Sequence, residues 1–452
     1  MINCLHCLST FKVKMVNDIQ IIAKDLQHIW HPCMQMKDFE SCPPVLVHKA
    51  NGIYLETNLG TLLDGQSSWW CKSLGHSHPA ITDAITNQLD KFEHVIAANT
   101  THSLLAEFGE TIARITGLEH QCFASDGSCA VEIAMKLAIN AQQHRQEKQR
   151  INFIALENAY HGETIATLSV SDMGIYKRDV PLLTNRCAFI RNIPYVNNTE
   201  DPLWGNCEAY WPAIMQQLEP LAESSAALII EPLLQGAGGM RLYSADFLRR
   251  LFKWARCNNI YIIADEIMTG IGRTGKWLAM DHAKVQADLV CLSKGLTGGA
   301  IPLSCVAVHH DLYNLFYSDY AEGKSFLHSH THSANALGIS VAMATLQYIE
   351  QTNILENVKN MQNLMWEAMH SIAAQTRVLT NIRGFGGMIA ADLVNIEHPR
   401  PGFAFYQQAL QEGALMRPLG QSIYWLPPLN TSADEIECLR EVTQTALQKI
   451  SE

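Results

Sequence analysis

Short apolar runs alternate along this chain with helix-length segments, and that alternation confines it to a mostly parallel β-sheet covered by helices on both faces. The runs fall at residues 151–156, 226–230, 260–264, 289–292 and 304–308. Helical spacing of apolar side chains marks residues 129–144, 245–257 and 334–349. After Thr352 the character changes to one helix followed by short strands at 389–393 and 423–426, which puts a domain boundary near Tyr348. The chain reads as α/β, with residues 81–348 as a large domain and 349–452 as a smaller α+β domain. A length of 452 residues, 48% of them hydrophobic, leaves ample material for such a core.

Two of the runs end in charge. Residues 260–264 lead into Asp265-Glu266, and 289–292 lead into Ser293-Lys294-Gly295 and a glycine-rich stretch. In open α/β sheets ligands sit beyond the carboxyl ends of the strands, so an acid and an amine placed there point to one shared site. An ammonium group on the rim of a buried strand loses hydration, which favours the neutral amine needed for imine formation. A lysine that forms an imine, with an aspartate facing a ring nitrogen, is the protein's half of pyridoxal phosphate chemistry. Taken alone, Lys294 reads better as a surface lysine capping a strand, and it is the charged end of residues 260–264 that reverses this reading. A phosphate cradle is offered by Gly127 and Ser128 in Ser125-Asp126-Gly127-Ser128, because the helical period that follows gives a helix start with free N–H groups and a positive dipole end. The plain alternative is an Asp or Ser N-cap with no ligand.

Ser125-Asp126-Gly127-Ser128, Tyr160-His161-Gly162, Asp265-Glu266 with Gly272-Arg273-Thr274-Gly275, and Ser293-Lys294-Gly295, in that order, resemble the class III pyridoxal-phosphate-dependent aminotransferases. The resemblance extends from about His28 to the end of the chain. It implies the aspartate aminotransferase-like fold, fold type I, in which residues 15–80 pack with the C-terminal small domain. Three segments narrow it to the biotin-pathway branch of the class: His28-Ile29-Trp30-His31-Pro32, Asp64 to Trp70, and Arg417 to Pro428. That branch moves an amino group from S-adenosylmethionine to 8-amino-7-oxononanoate. Relatives in the class use lysine or other donors and ω-oxo acids, and an idle cofactor-binding protein is a third alternative.

Carried over residue by residue, the resemblance makes Lys294 the cofactor anchor and proton carrier, and Asp265 the partner of the ring nitrogen. Gly127 and Ser128 hold the phosphate and Tyr160 covers the ring. Thr331, with His330 beside it, reaches the phosphate of the other subunit of a homodimer. Trp69, Tyr160, Lys294, Ser329, Arg417 and Tyr424 form the substrate pocket, Arg417 gripping a carboxylate with its planar fork. Arg273 and Glu231 resemble structural or gating elements and receive no chemical step. The chain departs from the pattern at Cys33, where a tyrosine is usual, at Glu163 for aspartate, at His330 for proline, and in the order Ser125-Asp126. The first of these removes an aromatic hydroxyl from the pocket and bears on substrate choice.

Other features assign less. Gly270-Ile271-Gly272-Arg273-Thr274-Gly275 matches a dinucleotide fingerprint, but the glycines do not leave the strand directly and no acid closes a βαβ unit, so the match is spurious. His328, His330 and His332 alternate like ligands on one strand face, yet read better as loop histidines. A net charge of -11 argues against nucleic acid, and no apolar run reaches membrane length. Thirteen scattered cysteines read as free thiols in a reducing cytoplasm. Residues 1–14, with an isolated Cys4/Cys7 pair, read as a tail, and Met15 opens a more ordinary beginning whose helical pattern is Ile19, Ile22, Ala23 and Leu26.

Overall fold

The structure, a computed structural model, describes residues 17–178 and 186–452, so the expected tail and Met15 lie outside the described residues. Its centre is a seven-stranded sheet in the spatial order His120–Ala124, Ser304–Val308, Leu289–Leu292, Tyr261–Asp265, Ser225–Ile230, Asn152–Leu156, Cys187–Ile190. Six strands run one way. Ser304–Val308 runs antiparallel to both neighbours, pairing Leu289 with Val308 on one side and Ser304 with Ala124 on the other. It is the exception in the mostly parallel sheet that the sequence predicts, and one the sequence did not single out, since an all-apolar run carries burial information and no direction.

Successive residues of each strand enter different cores. Ile263, Ile229, Cys291 and Val306 pack under the helix Gly127–His144 with Ala130, Ile133, Ala134 and Leu137. Ile262, Ala264, Leu228 and Val290 pack on the other face with Phe247, Leu248 and Leu251 of Ala245–Cys257 and with Ile339, Val341 and Leu346 of Ala336–Gln351. Burial of each such side chain stabilises the fold by about 1.5–3 kcal/mol, which explains why the apolar runs are unbroken.

The C-terminal part contains a three-stranded antiparallel sheet of Leu379–Gly384, Ile389–Leu393 and Ser422–Trp425, flanked by Ile354–Thr376, Pro401–Glu412 and Ala433–Ser451. A four-stranded sheet brings the two ends of the chain together. Val47–Asn51, Tyr54–Thr57 and Gly60–Asp64 form a meander, and Ala414–Leu415 joins its edge in parallel, with Ala414 opposite Leu63 and Leu415 opposite Asp64. Ile53 and Leu63 share a core with Phe405, Trp425 and Leu439. Arg383, buried, donates to the Gly239 and Met240 carbonyls and to Asp392, tying the C-terminal sheet to the loop at 236–240.

Candidate active site

Three adjacent parallel strands end in titratable residues. Ala264 lies opposite Ile230 and Asp265 opposite Cys291, so Glu231, Asp265 and Lys294 leave the same edge of the sheet one after another. His120–Ala124 ends at that edge too, which brings in the start of the helix Gly127–His144. Tyr160 and His161 follow Asn152–Leu156. The sequence-predicted residues Lys294, Asp265, Gly127, Ser128 and Tyr160 thus stand on one rim, as the topology of an open α/β sheet requires.

Lys294 opens a 3-10 turn, Lys294–Thr297, with φ of 43°, the left-handed region where a side chain costs energy and where functional residues concentrate. Desolvation lowers its pKa from the ordinary lysine value, and the nearby Asp265 and Glu231 carboxylates oppose that shift. The Nζ lies 4.6 Å from the centre of the Trp70 ring. Asp265, buried, accepts a hydrogen bond from Ile267 N–H at 3.2 Å and pairs with His161 Nδ1 at 2.8 Å. His161 Nε2 is buried with no partner among the described residues. Asp265 is a carboxylate acceptor, so Nδ1–H of His161 is the donor in this bond. Glu231 accepts from Tyr160 N–H at 3.0 Å and Gly236 N–H at 2.9 Å, and burial pushes its pKa up to about 7. Glu266, equally enclosed, accepts from Thr269 Oγ1, Ala279 N–H and Met280 N–H; burial raises its pKa to about 7 as well. These bonds fold the glycine loop that follows, which delivers buried Arg273 to the Gly387 and Pro427 carbonyls. No dinucleotide-type helix leaves that loop.

At the helix start Asp126 caps with its side chain, accepting from Cys129 N–H at 3.0 Å, and leaves the N–H groups of Gly127 and Ser128 for another acceptor. Gly162, with φ of 124°, must be glycine because a Cβ there would sit 2.2 Å from Ser128 Oγ. Tyr160, half-buried, donates its hydroxyl to Glu163 at 2.9 Å; burial first, then the Glu163 charge, raises its pKa.

The tryptophan expectation changes in detail. Ser67, Ser68, Trp69 and Trp70 all have positive φ and form a left-handed turn. This twist buries Trp70 beside Lys294, its Nε1–H donating to Tyr424 Oη at 3.0 Å, and leaves Trp69 half-exposed with the Arg417 guanidinium 5.2 Å from its ring centre. Ser73 Oγ donates to Gly295 O at 3.0 Å and Lys72 Nζ to Gly299 O at 3.1 Å, fastening this segment to the lysine loop. Arg417 also donates to Cys33 O. Cys33, Tyr176, Tyr160 and Glu163 surround the same mouth, burial raising the Cys33 thiol pKa.

Ser329, His330 and Thr331 do not join this cluster within the chain. His330 Nε2 lies 3.0 Å from His328 Nε2, whose Nδ1 meets Lys136 Nζ at 2.9 Å, and Thr331 O meets His94 Nε2 at 3.0 Å on an exposed loop. Sequence reasoning passed over His161, quoted in its motif but given no role, and Gln66, whose side chain bonds the Arg417 main chain. A histidine directly before an obligatory glycine was the one signal available for the first.

Residues 36–447 match the family model for class III aminotransferases. The chain is 35% identical to the adenosylmethionine-8-amino-7-oxononanoate aminotransferase of Helicobacter pylori over 92% of its length and 95% of that relative. It is 34% identical to the Synechococcus elongatus protein of the same name, over 94% and 99%. The crystal structure of the enzyme so named from Methanocaldococcus jannaschii superposes with a TM-score of 0.86 at 29% identity, covering 96% of this chain and 99% of that one. An amine transaminase of an uncultivated Pseudomonas species, solved with pyridoxal phosphate bound, gives 0.85 at 26% identity over 94% and 99%. The chain belongs to the class III aminotransferases. Its fold is that of the pyridoxal-phosphate-dependent aminotransferases, and its cofactor is pyridoxal 5'-phosphate. The donor set fits that group: a buried amine whose pKa desolvation lowers, a buried carboxylate with a histidine behind it, and open N–H groups at a helix start.

Proposed function

We propose that this enzyme transfers an amino group from S-adenosylmethionine to 8-amino-7-oxononanoate, giving 7,8-diaminononanoate for biotin synthesis. The observation that carries the reading is the mouth above Lys294, where Arg417 lies along Trp69 beside Tyr424, Tyr160 and Trp70. An alkyl chain ending in a carboxylate suits aromatic walls with one guanidinium fork at the far end. The names carried by the relatives support the same substrate pair.

In this reading pyridoxal phosphate, when bound, supplies an aldehyde that takes up amines and a ring that accepts the electron pair left when a C–H proton departs. Lys294 Nζ would anchor it at rest and, when free, would carry the proton at the amine-bearing carbon of the substrate. Asp265, held by His161, keeps the ring nitrogen protonated. Gly127 and Ser128 N–H groups hold the phosphate, and Tyr160 closes one ring face. Arg417 fixes the acceptor's carboxylate and so places its ketone over Lys294.

Homodimer formation, with Ser329, His330 and Thr331 completing the partner's site, belongs to the same proposal. Trp30, Tyr320 and Leu327, 86%, 96% and 87% exposed, support it, since large apolar groups on a monomer's surface suit an interface. The cysteines among the described residues are unpaired, as a cytoplasmic setting would keep them. No helix among the described residues is long and apolar enough to cross a membrane.

The test measures the two half-reactions separately. Arg417→Ala is expected to weaken 8-amino-7-oxononanoate about 10- to 100-fold, the scale of a lost charge-assisted pair, while affecting the donor less. Indifference of both substrates to Arg417→Ala, or lysine outperforming S-adenosylmethionine as donor, would redirect the reading to another substrate pair. Sedimentation of the protein reads the dimer directly.

A further inference from the structure

Gly60–Asp64 and Ala414–Leu415 pair as parallel strands, and the register sets Leu63 opposite Ala414 and Asp64 opposite Leu415. Continued by two residues, the ladder would set Gln66 opposite Arg417. There the Gln66 main chain leaves the sheet, because Ser67 to Trp70 turn left-handed, with φ values of 50°, 44°, 68° and 74°. Its side chain takes over the pairing. Gln66 Oε1 accepts from Arg417 N–H at 2.8 Å, and Gln66 Nε2 donates to Arg417 O at 2.5 Å. A carboxamide has the donor and acceptor spacing of a peptide, so it continues a ladder that the backbone has abandoned. Gln66 is 7% exposed, which makes loss of either bond costly. Arg417 precedes Pro418 and is thereby held extended, leaving its N–H and C=O in line for this two-point grip.

The same turn carries Trp69 out to the Arg417 guanidinium. Asp64 and Ser67 fix it from below: Ser68 Oγ donates to Asp64 Oδ2 at 2.7 Å, His76 Nε2 meets the same oxygen at 2.9 Å, and Ser67 Oγ donates to Leu426 O at 2.8 Å. One segment therefore holds Arg417 at both ends, its backbone through Gln66 and its guanidinium through Trp69.

We propose that Gln66 is a positioning residue for acceptor recognition, setting the reach of Arg417 by clamping its main chain. The proposal rests on the reading of Arg417 as the carboxylate grip. It assigns to Gln66 a role in the apparent affinity for carboxylate-bearing acceptors and none in the chemistry at Lys294.

The experiment compares holoenzyme carrying Gln66→Met, similar in length but without the paired amide bonds, with Gln66→Glu, whose carboxylate accepts from Arg417 N–H but faces the Arg417 carbonyl without a donor. Arg417→Ala and the Gln66→Met/Arg417→Ala double variant complete the set. The acceptors are 8-amino-7-oxononanoate and its methyl ester. A misplacement of about 1 Å is worth up to roughly 100-fold. The expected result is a KM for the acid raised on the order of 10- to 100-fold in Gln66→Met, with kcat, the KM for the ester and the visible spectrum of the bound cofactor unchanged. The double variant should be no worse than Arg417→Ala alone. Equal loss on acid and ester, additive losses in the double variant, or a wild-type KM for the acid in Gln66→Met and Gln66→Glu would each overturn the proposal. If Arg417→Ala leaves the preference for the acid over the ester intact, the substrate reading fails instead. Should Gln66→Met not fold, Gln66→Glu carries the same comparison.

Discussion

Replacing His161 with leucine removes one hydrogen bond from a site that has little else to compensate. The His161 side chain is 0% exposed and that of Asp265 5%, their contact is 2.8 Å, and the other bond to the Asp265 carboxylate is the longer one from Ile267 N–H at 3.2 Å. Leucine nearly fills the imidazole's space but offers no N–H, so the carboxylate loses a donor that water cannot replace. A hydrogen bond to a charged group is worth about 1.5–3 kcal/mol, which converts to roughly 10- to 150-fold. That loss should fall on whatever depends on Asp265 being fixed and anionic: the affinity for pyridoxal phosphate and the rate of proton movement at Lys294. The assay titrates cofactor-free protein with pyridoxal phosphate, followed by visible absorbance, and then times a single half-reaction with S-adenosylmethionine. His161→Gln, whose amide N–H can point to the same oxygen, should recover part of the loss. If His161→Leu takes up cofactor and reacts within about twofold of the parent, the orientation of Asp265 does not depend on His161.

Lys294→Ala should fold, bind cofactor without covalent attachment and fail to turn over; mass spectrometry after borohydride reduction checks this, and a label on any other lysine would contradict it. Asp265→Asn keeps the shape but not the charge and should slow transamination about 100- to 1000-fold, the scale of a lost preorganised electrostatic partner, as read by single-turnover rates. Glu231 and Glu266 have pKa values raised by burial to about 7 from the ordinary 4.5. Each therefore holds its proton more tightly when folded, so the stability it contributes is complete below pH 4.5 and is lost as pH rises through 7. Thermal unfolding of cofactor-free protein should show that downward slope. Glu266→Gln should flatten it, and an unchanged slope in both Glu231→Gln and Glu266→Gln would rule out the two carboxyl groups as its source.

The sequence made the rim legible because charge after an apolar run marks a strand end, and Asp265 and Lys294 do stand at adjacent ends. It did not reveal strand direction, so Ser304–Val308 was grouped with its parallel neighbours. The left-handed turn was hidden for a different reason. Ser67 to Trp70 contains no glycine, the residue that normally signals such a backbone, and a left-handed residue with a side chain costs roughly 1–2 kcal/mol. Ser68 bonds Asp64 four residues back, but Gln66 bonds Arg417 and Ser67 bonds Leu426, partners 351 and 359 residues away that leave no local pattern. That is why the sequence could not tell that Trp70 lies against Lys294 while Trp69 faces Arg417. Thr331 was drawn from resemblance alone, and its position on an exposed loop depends on a second copy of the chain for any meaning at the site.

Because Ser304–Val308 returns beside Leu289–Leu292, Lys294 lies on a hairpin-like connection between strands hydrogen-bonded to each other, instead of on the long crossover that a parallel partner would demand. For anyone recasting this scaffold toward bulkier amines, that short tether acts as a fixed post. Lengthening it would displace the anchor and the cofactor together, and so would redrawing residues 64–70, which Ser73 and Lys72 fasten to it, whereas the wall at residues 417–424 is carried by other strands.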